Sequence, residues 1–168
     1  MDSELNALAQ AVGVALKAKG LVLTTAESCT GGWVGEAVTM ISGSSDWFDR
    51  GFITYSNLAK QQMLGVSGQT LAAHGAVSEP TVREMAAGAL NTSGAQVAVA
   101  VSGVAGPTGG TPAKPVGTVC FAWDTIDGTP RSETRHLEGD REAVRRQAVI
   151  VALQGILEIL DGDDSAQR

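Results

Sequence analysis

Histidine is scarce in this chain: His74 and His136 are the only two among 168 residues. A serine–histidine–aspartate arrangement has little to draw on, and neither histidine has the spacing of a metal ligand, so no metal is expected. Cysteine is equally sparse. Cys29 and Cys120 lie far apart with no C-x-x-C spacing, which leaves no ground for a disulfide framework or a zinc site. Positive charge is short as well: 12 Lys and Arg against 18 Asp and Glu give a net charge of -6. That balance argues against a nucleic-acid partner, which needs a basic face, but it is compatible with a local basic pocket for one small phosphorylated ligand. No apolar run approaches the roughly 20 residues of a membrane span, and the start M-D-S-E-L-N has no signal-peptide pattern. A cytoplasmic protein without a membrane partner is expected.

What is present reads as one globular domain. Hydrophobic residues make up 43% and charged residues 18%, enough apolar content for a core at this length. Leu5, Leu8, Ala9, Val12 and Leu16 recur at helical spacing within Ser3 to Lys19, with Gly20 as a stop. Strands are expected at Leu21 to Ala26, at Phe52 to Tyr55 and at the uninterrupted apolar run Val97 to Val101, the last buried on both faces. Helices are expected at Trp33 to Ile41, Asn57 to Leu64, from the Ser78 cap to about Asn91, and after Asp140. Val116 to Trp123 and Arg131 to Leu137 form a hairpin around Asp127-Gly128. Residues 161–168 are read as a frayed tail. Strands separated by helices imply parallel crossovers. The expectation is a single-domain α/β fold, a three-layer α/β/α sandwich with a mixed, mostly parallel sheet of about five strands.

The chemistry concentrates between Gly43 and Lys60, G-S-S-D-W-F-D-R-G-F-I-T-Y-S-N-L-A-K. Serine needs a base to become a nucleophile. With histidine scarce, a lysine whose pKa burial lowers can serve, and a tyrosine can relay the proton. Tyr55, the only tyrosine, and Lys60 at the start of a helix can face one cleft, so a Ser-Tyr-Lys hydrolase is the first hypothesis. Spacing alone does not choose among Ser28, Ser44 and Ser45. The ordinary role of Ser45 is a turn serine, and that of Lys60 a solvated helix residue. Tyr-x4-Lys is not the dehydrogenase spacing Tyr-x3-Lys. The dinucleotide-binding, Walker A, Gly-x-Ser-x-Gly and Ser-x-x-Lys patterns are all missing. Cys29 at a helix start is a rival nucleophile.

Two glycine turns are candidates for a phosphate. Ser28-Cys29-Thr30-Gly31-Gly32 leads into a helix, and Ser102-Gly103-Val104-Ala105-Gly106 follows the most buried strand. Arg141, Arg145 and Arg146 at the last helix can add positive charge, with a solvated face as the plainer role for Arg146. Thr108 to Lys114 is either a lid or an exposed loop. Trp33, Trp47 and Trp123 are read as core packing.

Four segments then carry a resemblance. A-E-S-C-T-G-G (Ala26 to Gly32), the Gly43 to Lys60 run, H-G-A-V-S-E (His74 to Glu79) and S-G-V-A-G-P (Ser102 to Pro107) resemble the CinA C-terminal domain family. The likeness runs from about Leu5 to Leu160, and the motifs fall in the family's order. Longer members carry an additional N-terminal domain, and this chain looks like the stand-alone kind. The resemblance implies hydrolysis of the carboxamide of nicotinamide mononucleotide to nicotinic acid mononucleotide and ammonia, in pyridine-nucleotide recycling, with no cofactor. It places the nucleophile at the second serine of the Gly-Ser-Ser turn, Ser45, assisted by Tyr55 and Lys60; with that nucleophile, backbone N–H groups around the Gly43-Ser44-Ser45 turn would stabilise the oxyanion. It places the ligand on Ser28, Thr30, Gly31, Ser102, Gly103 and Gly106, with Arg141 and, second, Arg145 as the basic residue. A silent nucleotide-binding regulatory domain and an amidase for another phosphorylated amide are the alternatives. A homo-oligomer is expected, because apolar residues of the last helix would need cover.

Overall fold

The computed structural model describes residues 2–166. Six helices and five strands follow in the order α1 (Ser3–Lys19), β1 (Leu23–Glu27), α2 (Trp33–Thr39), β2 (Phe48–Ile53), α3 (Asn57–Leu64), α4 (Gly68–His74), α5 (Glu79–Asn91), β3 (Val97–Gly103), β4 (Thr118–Thr125), β5 (Arg131–His136) and α6 (Arg141–Ala166). A single 3-10 turn, Ser44–Asp46, precedes β2. The strand order is β2-β1-β3-β4-β5. β1 runs parallel to both β2 and β3, whereas β3–β4 and β4–β5 are antiparallel. The sheet is mixed, with parallel and antiparallel pairings in equal number.

Each sheet face has its own core. Leu5, Val12, Leu16, Val34, Val149, Leu153 and Ile156 pack α1, α2 and α6 against Val97, Val99 and Val101 of β3. Leu64, Leu71, Val82, Met85 and Ala86 pack the α3–α5 layer against Ala98 and Ala100 on the opposite face of the same strand. This alternation explains why β3 reads as an unbroken apolar run: both of its faces are covered. Trp47 and Trp123 are core residues, 4% and 0% exposed, and Trp123 donates its indole N–H to the Ala152 carbonyl at 2.9 Å. Trp33 is only half-buried.

Caps set the helix limits. Asp2 accepts from the N–H of Leu5 at the start of α1, and Ser78 from that of Thr81 in α5; Asp140 accepts from Ala143 at 2.9 Å in α6. The sequence reading omitted α4, although Ser67 caps it through the N–H of Gln69. It also started β2 four residues late. Asp49, Arg50 and Gly51 are exposed on this edge strand, so no apolar run marks it. The chain from Asp161, read as tail, continues α6 to Ala166, while Gln167 and Arg168 lie outside the described residues. The apolar positions of α6 named in the sequence, Val144, Ala148, Val151, Leu153, Ile156 and Leu160, are buried within the chain, and Leu157 is half-buried. This removes the ground on which oligomerisation was expected. Arg146, read as a solvated residue, forms ion pairs with Asp2 and Glu4 and so ties α6 to the start of α1.

One close approach gives a stability prediction. A Cβ at Gly88 of α5 would come within 1.9 Å of the Leu64 carbonyl oxygen. Backbone cannot yield as a flexible side chain does, so Gly88→Ala is expected to destabilise the fold by about 1–3 kcal/mol, read as a lower urea midpoint. An unchanged midpoint would mean that α3 and α5 do not meet this closely.

Candidate active site

Strand β1 ends at Glu27, and the chain turns at once into α2 through Gly31 and Gly32, both at positive φ (61 and 104). Only glycine adopts such angles without strain. Successive side chains of an extended segment point to opposite faces, so Glu27 and Ser28 part company. Glu27 turns to α2, where its carboxylate accepts from Thr30 Oγ1 at 2.6 Å and from the N–H groups of Val34 and Gly35 at 2.9 and 3.0 Å. Ser28 turns to α3.

Helix α3 begins at Ser56, whose Oγ accepts from the Ala59 N–H at 3.0 Å. One turn apart on its inner face, Lys60 and Leu64 are its buried residues. Lys60 is 1% exposed. Its Nζ lies 3.0 Å from Ser28 Oγ, 2.9 Å from the Thr54 carbonyl and 3.4 Å from the Tyr55 carbonyl. Burial pulls the amine below its ordinary pKa of 10.5, with the Cys29 side chain acting in the opposite sense. Two carbonyls and one hydroxyl oxygen accept from the amine, and the Ser28 hydroxyl also reaches the Tyr55 carbonyl at 3.5 Å.

The pair opens into a pocket of about 350 Å³. Its walls are Ser28 and Cys29 after β1, Tyr55, Asn57 and Lys60 after β2, Ser102 to Gly106 with Thr108 and Gly109 after β3, Ala76 and Val77, and Arg141 from α6. Three strands thus deliver their carboxyl-end loops to one crevice. The chain leaves β1 toward β2 and leaves β3 toward β4 on the other side, the switch point at which open α/β sheets place ligands. Arg141 donates to the Gly106 carbonyl at 2.8 Å and to the Tyr55 hydroxyl at 3.3 Å. Of the stretch read as a lid or exposed loop, Thr108 and Gly109 line the pocket, and Lys114 donates to the His74 carbonyl.

Several expected site residues are elsewhere. Gly43 caps, and Ser44 and Ser45 open, the 3-10 turn at the amino end of β2, whereas Lys60 follows its carboxyl end. Six residues of strand separate them, about 20 Å at 3.3 Å per residue. Ser44 is buried and Ser45 exposed, and next to them Asp46 pairs with Lys17 of α1 at 3.4 Å. The Gly-Ser-Ser turn therefore belongs neither to the Lys60 pocket nor to any oxyanion site in it. The serine that Lys60 meets is Ser28. Tyr55 also differs from its expected part. Its phenol is not interposed between serine and lysine; the side chain is 63% exposed and meets Arg141.

The turn into α2 is not an open phosphate site either, because the Glu27 carboxylate already occupies the helix N–H groups. Thr30, Gly31 and Arg145 do not line the pocket. Arg145 instead donates to the carbonyls of Cys29 and Thr30 at 3.0 and 3.2 Å. Ser102, Gly103, Gly106 and Arg141 line the pocket. Cys29 borders the pocket, but burial pushes its thiol up to about 11, which keeps it protonated and unreactive near neutrality. Glu27, Thr54 and Asn57 were not anticipated. The signal for Glu27 was an acid at the inner end of an apolar strand, directly before a glycine turn into a helix.

The residues assembled here come from all four segments that carried the resemblance, and a family model decides its source: the CinA C-terminal domain model matches residues 5–160. The chain belongs to the CinA C-terminal domain family. Within that family it is 60% identical over 153 residues to the nicotinamide-nucleotide amidohydrolase PncC of Escherichia coli K12, covering 91% of this chain and 93% of that one. It is 53% identical over 156 residues to the PncC of Pseudomonas putida, covering 92% and 96%. Among solved structures, the competence/damage inducible protein CihA from Agrobacterium tumefaciens superposes with a TM-score of 0.91 at 43% identity, covering 96% of this chain and 98% of that one. Among the described residues of this family member, no helix is long and apolar enough to cross a membrane.

Proposed function

We propose that the chain is a nicotinamide-nucleotide amidohydrolase. In this reading it hydrolyses the carboxamide of nicotinamide mononucleotide to nicotinic acid mononucleotide and ammonia, with Ser28 as nucleophile and Lys60 as base. The observation that carries the mechanism is the 3.0 Å approach of a buried lysine amine to the hydroxyl of a pocket serine. Similarity to the PncC amidohydrolases supports the substrate.

In its deprotonated form, which burial favours, Lys60 donates its two protons to the Thr54 and Tyr55 carbonyls and turns its lone pair to the Ser28 hydroxyl. As Ser28 Oγ attacks the carboxamide carbon, its proton passes to Lys60. The Val104 N–H is spent on the Thr118 carbonyl, so we assign the developing oxyanion to the backbone N–H groups of the pocket residues Cys29, Ala105 and Gly106, a well-aimed donor being worth about 3 kcal/mol. Lys60 then returns the proton to the leaving nitrogen and ammonia departs, which leaves an ester on Ser28. Water attacks that ester with Lys60 again as base, releasing the carboxylate product and restoring the serine.

Arg141 is the guanidinium of the pocket. After its bonds to Gly106 and Tyr55 it retains N–H donors for a phosphate, and we assign the substrate phosphate to it. Binding energy gained there orients the ring for the reaction. Arg141→Ala is expected to raise KM about tenfold or more while kcat changes far less, the pattern of a contact made equally in the ground and transition states. The overall reading is tested by ammonia release from nicotinamide mononucleotide, nicotinamide riboside and nicotinamide. Rapid release from the mononucleotide alone is expected. Equal rates on all three would remove the phosphate from the account, and no release would leave a binding domain.

A further inference from the structure

The loop that carries Ser28 is gripped by two charged side chains that do not line the pocket. On one side stands Glu27, 2% exposed. Its carboxylate holds the Thr30 hydroxyl and the Val34 and Gly35 N–H groups. On the other side stands Arg145, which reaches across from α6 to the carbonyls of Cys29 and Thr30. The Arg145 guanidinium is itself steadied over the Trp33 ring, 5.5 Å from its centroid. Ser28 is pinned as well: its N–H donates to Val101 at 3.0 Å, and its carbonyl accepts from Gly31 at 3.0 Å.

We infer that Glu27, Thr30 and Arg145 form a clamp that positions the Ser28 nucleophile and the N–H groups beside it, which makes them positioning residues for the amidase reaction. This rests on Ser28 being the nucleophile. A trans peptide directs its C=O and the following N–H oppositely. Arg145 holds the Cys29 and Thr30 carbonyls and so sets the direction of the Thr30 and Gly31 N–H groups; the Gly31 N–H in turn holds the Ser28 carbonyl, which sets the direction of the N–H of Cys29, a pocket residue. Burying a charge is expensive unless it is paired and hydrogen-bonded. A hydroxyl can cap a helix like α2 at far less expense. An ionic group on each side of the turn is what rigidity of the turn requires, and reacting atoms must sit within a fraction of an ångström of their productive positions.

The clamp does not touch substrate, so its loss lowers kcat and leaves KM in place. In the purified full chain, kcat and KM for ammonia release from nicotinamide mononucleotide are measured beside the melting temperature for Thr30→Val, Thr30→Ser, Arg145→Lys and Ser28→Ala. Thr30→Val keeps the side-chain shape and loses the hydroxyl; Arg145→Lys keeps the charge and loses the two-pronged contact. Both are expected to lower kcat by about tenfold or more with KM within about twofold, and Thr30→Ser to restore most of the loss. Folded Thr30→Val and Arg145→Lys at wild-type kcat, with Ser28→Ala inactive, would overturn the clamp alone. A loss carried in KM would place these residues on the substrate and likewise overturn it. Turnover surviving in Ser28→Ala would overturn the nucleophile assignment, and the clamp with it.

Discussion

Ser28→Ala is expected to lower kcat for ammonia release by roughly 10³-fold or more, while Ser45→Ala leaves it within about twofold of wild type. The contrast follows from position. Ser28 Oγ is in contact with the only amine the pocket contains, and removing it leaves nothing for Lys60 to activate. Ser45 is exposed on a turn at the other end of β2, where surface substitutions rarely matter. Substrate affinity should survive in Ser28→Ala, because the proposed phosphate contact lies on Arg141. Steady-state kinetics of the two variants with binding by calorimetry check both halves. Cys29→Ser is the companion control: a thiol held up at about 11 by burial is no competitor, and this variant should keep most of its activity.

Lys60→Met is expected to abolish turnover by a similar factor, and Lys60→Arg to do no better, since guanidinium stays charged and cannot act as base. In wild type, kcat/KM should rise with pH as Lys60 loses its proton, and level off below the 10.5 of a free lysine. Stability has the matching sign. The folded pKa lies below the unfolded one, so between them the unfolded chain holds the extra proton and folding gains as pH increases. The stability of wild type relative to Lys60→Met should therefore climb with pH from the lowered pKa up to about 10.5. Urea unfolding of both proteins across that range measures it. A flat difference would mean that the amine is not desolvated.

Why Ser28 was harder to read than Lys60 is a matter of scale. Element types follow from local pattern, and α1, α3 and α5 are legible from apolar spacing and caps at Ser56 and Ser78. The buried β3 is legible from its unbroken apolar run. The burial of Lys60 also has a local trace, its position one turn before Leu64 on a short capped helix. Which serine meets that lysine is not local: Ser28 and Lys60 are 32 residues apart and meet only because β1 lies between β2 and β3. Nothing between Gly43 and Lys60 shows that β2 carries its two flanks to opposite ends of the sheet. The clamp was hidden for a related reason. Thr30 and Arg145 looked like ligand groups because hydroxyls, glycines and arginines near a turn commonly are, whereas here the protein supplies its own anion, Glu27, to the helix end.

The central claim is a covalent intermediate on one particular serine. Acid-quenching the enzyme during its first turnovers of nicotinamide mononucleotide, then digesting it and weighing the peptides, tests that claim most directly. The account predicts an acyl adduct equal to the substrate less ammonia on the peptide containing Ser28, absent in Ser28→Ala. An adduct on Cys29 or on Ser45, or no adduct at any age of the reaction, would contradict it.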